Sequence, residues 1–291
     1  MIDLRDMQIL TSLDRHRHFA RAAEDCGISQ PAFSARIRNL ELELGVQLVN
    51  RGNRFQGFTA EGEIVLGWGL RMLADLDGLR QDISAATGAL TGRIRIGTVP
   101  TALAFAATLP ALLRADHPDL LIEIHSTNAT EIRRGLQNAT YAAGLSYLEG
   151  SNAQIAETPL YEEAYRLLAP EALLQGRTEL TWAEAAALPL CLLTRDMQNR
   201  RILETFFAEE GAAPNTVMET NALTAAWTQL QTGLMATILP EKFVAAAAQL
   251  PGITTATLTP TKSRPIGLLL PVREPEPALH ALLKRTLRAP Q

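Results

Sequence analysis

Between residues 19 and 48 the apolar positions form two helical stretches separated by a single glycine. FARAAEDC reads as a short Ala-rich helix over 19–26, and Gly27 supplies the positive φ that ends a helix and turns the chain. Ser29 restarts it, with a hydroxyl suited to capping orphan N–H groups, and Pro31 falls in the first turn, where a missing N–H breaks no bond. Beyond that point Phe33, Ile37, Leu40 and Leu44 are spaced four, three and four apart, one buried stripe of a 3.6-residue period. The opposite face carries Gln30, Ser34 and Arg38. A helix over 3–16 presents Leu4, Met7 and Leu10 to the underside of this pair.

Downstream, Thr59 is placed to cap a long helix running to about residue 87, with Glu61 and Glu63 at its positive end. Leu66, Leu70, Leu73, Leu76, Leu79 and Ile83 recur along it every three or four residues. At about 1.5 Å per residue the helix spans roughly 40 Å, more than a small N-terminal domain covers. Its apolar side therefore needs either a second copy of the chain or an intramolecular partner, and twofold pairing is the expectation.

After the small residues at 87–92 the period changes to alternating strands and helices. Strands are predicted at 94–97, 120–124, 141–147, 161–168, 190–194, 216–220, 235–239 and 265–270. Helices are predicted at 101–115, 129–138, near Trp182, and at 197–208, 221–231, 240–248 and 275–287. That order implies open α/β sheets with parallel pairing and helical crossovers, the chain crossing between two halves near Thr158-Pro159. In such sheets ligands sit beyond the C-terminal strand ends, facing helix N-termini. Thr98, Pro100 and Thr101 occupy such a place, as do Thr127, Asn128 and Ala129, then Met197, Gln198 and Asn199, and finally Asn221. The same residue types cap helices whether or not anything binds. Arg195, Arg200 and Arg201 crowd the start of one of these helices and either attract an acidic metabolite or are solvated.

Chemistry narrows the choice. Gln and Arg each make paired hydrogen bonds to base edges in a major groove wide enough for a helix. A basic hairpin-like stretch, Asn50-Arg51-Gly52-Asn53-Arg54, follows directly and suits a wing whose guanidinium groups hold phosphate or a narrow minor groove. The net charge of the 291-residue chain is −4, yet residues 30–58 carry Arg36, Arg38, Arg51 and Arg54 against Glu41 and Glu43. A docked face needs only this local footprint. No apolar run approaches the roughly 20 residues of a membrane helix, and MIDLRDMQIL lacks the form of a signal peptide, so a cytoplasmic protein is expected. The two cysteines, Cys26 and Cys191, lie in apolar patterns and read as buried free thiols. His16 and His18 have no metal-ligand spacing to other donors. There is no Gly-x-Ser-x-Gly elbow, HExxH, Walker loop or GxGxxG fingerprint, and no catalysis, metal or cofactor is expected.

The chain resembles the LysR-type transcriptional regulators. The resemblance rests on Leu4, Leu10, Phe19, Ala22-Ala23, Ser29-Gln30-Pro31-Ala32, Ser34, Ile37, Leu40-Glu41, Leu44-Gly45, Leu48, Arg51, Arg54 and Thr59-Ala60-Glu61-Gly62. It departs from the family pattern at Ala35, where many members place a base-contacting Arg, at Val49, at Glu61, and at Tyr141, which is expected to alter the pocket wall. The resemblance implies an all-α winged helix-turn-helix domain over 1–58 and a linker and dimerisation helix over 59–89. It further implies an α/β effector-binding domain over 90–291 of two Rossmann-like lobes, similar to periplasmic binding proteins, lobe I being 90–161 and 266–291 and lobe II 162–265. The expected DNA-facing set is Ser29, Gln30, Pro31, Ser34, Arg36 and Arg38, with Arg51 and Arg54 on backbone or minor groove. The expected partners are double-stranded DNA with a dyad-symmetric site, a small polar or anionic effector between the lobes, further copies of the chain as a dimer of dimers, and RNA polymerase; no membrane is implied. The competing reading is a cytoplasmic solute-binding or carrier module whose N-terminal helices serve only for assembly.

Overall fold

The computed structural model describes residues 1–50, 55–247 and 251–288. Contacts divide the chain into two units, one built on Met1–Thr91 and one on Gly92–Leu136 and Tyr141–Arg273.

In the first unit α1 (Leu4–His16) begins at Asp3, whose carboxylate accepts from the Asp6 N–H while the Asp6 carboxylate accepts from the Asp3 N–H, a reciprocal cap. α2 (Phe19–Asp25) starts at His18, whose Nδ1 accepts from Arg21 N–H, and ends before Gly27 at φ +65. α3 (Gln30–Leu44) is capped by Ser29 and stopped by Gly45 in the left-handed region. Most of the stripe read from the sequence is buried: Phe33, Ile37 and Leu40 lie in one core with Met7, Leu10, Leu13, Ala22, Ala23 and Leu48, while Leu44 is partly buried and Leu4 of α1 is exposed. Each large buried side chain of that core contributes about 1.5–3 kcal/mol by leaving water, more than helices this short gain from propensity. An antiparallel bridge joins Val49 to Phe58, and Asn50 N–H donates to the Gly57 carbonyl. Arg51 and Arg54 lie outside the described residues.

α4 (Ala60–Ala86) starts at Thr59, whose hydroxyl accepts from the Gly62 N–H at 3.0 Å. Gly62 is required by close approach, since a Cβ there would sit 2.0 Å from the Leu48 carbonyl oxygen. Gly69 lets the helix settle on the Met7 side chain of α1 in the same way. On its other side Ile64, Trp68, Met72, Leu79 and Ile83 form an apolar stripe, each between 45% and 63% exposed.

The second unit holds, in chain order, β1 (Gly92–Thr98), α5 (Leu103–Ala106), α6 (Leu109–Arg114), β2 (Leu120–Ser126), α7 (Ala129–Gln137), β3 (Ala143–Tyr147) and β4 (Ile155–Pro170). It continues with α8 (Glu171–Leu174), β5 (Glu179–Thr181), α9 (Trp182–Ala187), β6 (Leu190–Leu193), α10 (Gln198–Glu209), β7 (Thr216–Thr220) and α11 (Leu223–Thr228). The last elements are β8 (Ala236–Pro240), α12 (Glu241–Ala247), β9 (Ile253–Thr259), β10 (Ser263–Pro271) and α13 (Ala278–Arg288). The strand order β2-β1-β3-β10-β4-β8-β6-β7 gives two lobes that share β4. β1 pairs parallel with β2 and β3, and β6 parallel with β7 and β8.

Four features differ from the sequence reading. The crossing expected near Thr158-Pro159 lies inside a strand and not ahead of one: β4 is one sixteen-residue strand whose first part pairs with β10 in lobe I and whose last part, from Tyr165, pairs with β8 and β9 in lobe II. Pairing is not wholly parallel, because β10 returns from the other lobe without a crossover and lies antiparallel to both β3 and β4. The predicted helix at 101–115 is split into a short 3-10 turn at Pro100–Ala102, α5 and α6. Pro110 lacks an N–H and disfavours helical geometry in its predecessor, so the segment restarts there. α8, β5 and β9 were not anticipated; the Thr-rich ITTATLT of β9 buries only Ala256 and Leu258 deeply.

Candidate nucleic-acid interface and interlobe cleft

With its stripe buried, α3 turns its N-terminal polar residues outward. Ser29, Gln30, Pro31 and Arg38 are exposed and Ser34 is half-buried. Ser29 has a structural task as well, its hydroxyl accepting from the Ala32 N–H at 3.4 Å. Arg36 is a correction to the DNA-facing set. Its guanidinium donates to the Asp6 carboxylate at 2.7 Å and to both Asp3 oxygens at 2.6 and 2.7 Å, which ties α3 to the start of α1. The same contact holds the Asp3 carboxyl below its usual range. The pairing spans about thirty residues, so helical spacing alone assigned Arg36 to the wrong neighbours. His16 lies 3.5 Å from the Asp25 carboxylate, consistent with a local structural role.

In the second unit a small cleft lies between the lobes. Lobe I contributes Val99, Pro100, Thr101, Asn128, Ala129 and Tyr147; lobe II contributes Leu193, Met197, Gln198 and Asn199. Of the residues expected there, Pro100, Thr101, Asn128, Ala129, Met197, Gln198 and Asn199 come together, and three do not. Thr98 is fully buried at the end of β1, with its hydroxyl donating to the Val99 carbonyl. Thr127 gives its N–H to the Thr98 carbonyl and does not line the cleft. Asn221 is exposed, because α11 starts two residues later than expected. Tyr141 does not form the wall either; its ring packs on Gly97 and Gly135, where a Cβ would come within 3 Å of it. Val99, within the same stretch as Thr98 and Pro100, lines the cleft as well, and Leu193 and Tyr147 were missed. Tyr147 closes a predicted strand, and the strand-end rule applied to that strand would have found it.

Two helices of adequate length begin at this cleft, α7 and α10, so their first-turn N–H groups and positive ends converge on it from opposite lobes. Asn128 caps α7, its amide oxygen accepting from the Glu131 N–H at 2.9 Å. Gln198 Oε1 and Asn199 Nδ2 are buried without partners. Among the described residues the lining contains no charged side chain. The arginines near α10 are committed elsewhere. Arg200 donates to the Leu193 carbonyl, Glu219 and Glu204; Arg195 pairs with Glu204; and Arg201 donates to the Arg195 and Asp196 carbonyls.

Behind Tyr147 lies an internal polar cluster. The Tyr147 and Tyr165 hydroxyls donate to Glu163 Oε1 at 2.6 and 2.9 Å, and Thr101 Oγ1 is 2.9 Å from the Tyr147 hydroxyl. Burial pushes Glu163 up to about 7 against the opposing pull of these hydroxyls and of Lys242, and it pushes both tyrosines well above their usual value. Lys242 of α12 sits 3.8 Å from the ring centre of Tyr161 and 4.9 Å from that of Phe105. Both cysteines are free; Cys26 is half-buried in the first unit, and burial pushes the Cys191 thiol on β6 up to about 11.

The family model described as bacterial regulatory helix-turn-helix protein, lysR family, matches residues 4–63, and the LysR substrate binding domain model matches residues 87–290. The DNA-binding transcriptional dual regulator OxyR of Escherichia coli strain K12 is 26% identical over 300 residues, covering 99% of this chain and 95% of its own. A solved full-length OxyR variant from Pseudomonas aeruginosa superposes with a TM-score of 0.79 at 23% identity, covering 99% of this chain and 95% of the other. Full-length CbnR in complex with its target DNA superposes with a TM-score of 0.72 at 23% identity and 99% coverage of both chains. At that identity the two structures speak for the fold.

Proposed function

Because the chain belongs to the lysR family of bacterial regulatory helix-turn-helix proteins and is a DNA-binding transcriptional regulator with an effector-binding domain, we propose that α3 reads DNA and that the interlobe cleft holds the effector. One observation carries the first part. α3 buries Phe33, Ile37 and Leu40 and leaves Gln30, Pro31 and Arg38 exposed on its other side, with Ser34 half-buried. Gln30 and Arg38 then meet base edges, while Ser29, Pro31 and Ser34 sit against the groove wall; Arg51 and Arg54 are assigned to the backbone on sequence grounds. The apolar stripe on α4 supports pairing with a second copy, which sets two recognition helices on a dyad-symmetric site. Assembly as a dimer of dimers, contact with RNA polymerase, a cytoplasmic location and the lack of any catalytic activity belong to the same proposal.

Several relatives carry the name hydrogen peroxide-inducible genes activator. A peroxide response through a thiolate at Cys191 does not fit this chain. Its two cysteines lie outside the cleft lining, and Cys191, pushed to about 11, is almost entirely protonated at neutral pH. The effector reading rests instead on the convergent helix ends and unpartnered amides.

Fluorescence anisotropy against DNA flanking its own gene tests the DNA assignment. Wild-type binding to a dyad-symmetric segment should be tight and fall with salt, and Gln30→Ala should cost about 1–3 kcal/mol at that segment while relaxing discrimination at one base pair. Absence of salt-sensitive binding to any such segment favours the carrier reading.

A further inference from the structure

A phenol has one proton to give, and that fixes the polarity of one wall of the cleft. Tyr147 donates to Glu163 Oε1 at 2.6 Å, and Tyr165 donates to the same oxygen at 2.9 Å. Glu163 is 2% exposed and its Oε2 has no partner. With Glu163 ionised, the carboxylate only accepts. In that state Tyr147 and Tyr165 have both spent their protons on Glu163, so their 3.2 Å contact with each other carries none, and in the 2.9 Å contact between Tyr147 and Thr101 the threonine is the donor. Thr101 then has no proton left for the cleft it lines. Its remaining lone pairs, with the unpartnered Gln198 Oε1, present acceptors only.

The other groups present donors. Asn199, 4% exposed, holds an unpartnered Nδ2, and the first-turn amides of α7 and α10 point positive helix ends at the same space. One negative charge is matched by two helix ends. A second has no cation in the lining, and an ammonium group would lose its water between two positive helix ends.

We infer that the cleft selects a small monocarboxylate that also bears a hydroxyl, the carboxylate on the α7 and α10 ends with Asn199, and the hydroxyl proton on Thr101 and Gln198. Glu163 and Tyr147 are positioning residues that make Thr101 an acceptor. This rests on the effector reading of the cleft.

Isothermal titration of the full-length protein at pH 8.5, where Glu163 is ionised, with two matched pairs tests it, glycolate against acetate and lactate against propionate. The hydroxy acid of at least one pair should bind at least about tenfold more tightly than its partner, because only it satisfies the buried acceptors. Tyr147→Phe frees the Thr101 proton, and Thr101→Val removes the acceptor; in each the gap should close to about twofold while the plain acid still binds. Unfolding midpoints of both variants serve as folding controls. Equal affinities within both pairs, binding by none of the four acids, or a gap that survives both substitutions overturns the inference. Salt-dependent DNA binding by the same wild-type sample keeps the two readings apart: DNA binding retained with equal acid affinities overturns the selection alone.

Discussion

Replacing Glu163 with glutamine removes a titration while keeping the shape of the side chain. The acid is faced by Tyr147 and Tyr165 through hydrogen bonds, and by Thr101, Tyr161 and the Lys242 ammonium from α12. Burial outweighs all of these and lifts it from the ordinary 4.5 to about 7. A folded-state pKa above the unfolded one means the native state holds the proton more tightly. The stability contributed by that proton is complete below about pH 4.5, falls as the pH rises toward 7, and is gone above it. At 1.36 kcal/mol per unit, the gap amounts to about 3 kcal/mol. Denaturant unfolding of the full-length protein at steps from pH 5 to 8.5 reads this directly. Trp182, fully buried against Phe206 and Phe207, reports fluorescence from the lobe that holds it. Carboxyls held low by their partners, such as Asp3, Asp25 and Glu123, slope the opposite way at acid pH, but they do so in both proteins and cancel in the difference. The expected result is a difference between wild type and Glu163→Gln that grows in favour of the variant by about 2–3 kcal/mol between pH 5 and 8. Parallel curves would refute the burial argument.

Three further outcomes follow from packing and pairing. Gly62→Ala drives a methyl into the Leu48 carbonyl, a contact that backbone cannot yield cheaply, so the first unit should lose about 1–3 kcal/mol or more, seen as a lower melting temperature and lost DNA binding. Arg36→Ala should lower the stability of that unit, by loosening α3 from Asp3 and Asp6, yet leave base preference unchanged once binding is measured below the new melting point; altered base preference would return Arg36 to the groove-facing set. Placing glutamates at Trp68 and Leu79 should break the pairing of α4 helices and bring the sedimentation mass down toward a single chain, whereas an unchanged oligomer would point to another interface.

The helix-turn-helix was legible in the sequence because its instructions are local. Gly27, Ser29, Pro31, Gly45 and Thr59 act within one turn of where they stand, and the Phe33, Ile37 and Leu40 spacing decides which face is buried without reference to distant residues. The alternating elements of the second unit, and most of the cleft residues at strand and helix ends, were readable for the same reason. What only the tertiary structure decided were relations across long separations: the continuity of β4 through both lobes, the antiparallel return of β10, Arg36 meeting Asp3 and Asp6, and Thr98 and Thr127 held back from the cleft. The Glu163 cluster belongs there too, since Thr101, Tyr147, Glu163 and Tyr165 lie on separate elements or strand positions and acquire their shared hydrogen bonds only when the sheet closes around them. Periodicity reports which side of an element is apolar. Which distant polar group ends up beside another is set by how the elements pack, and a hydrogen bond, unlike apolar burial, depends on that partner to within a few tenths of an ångström.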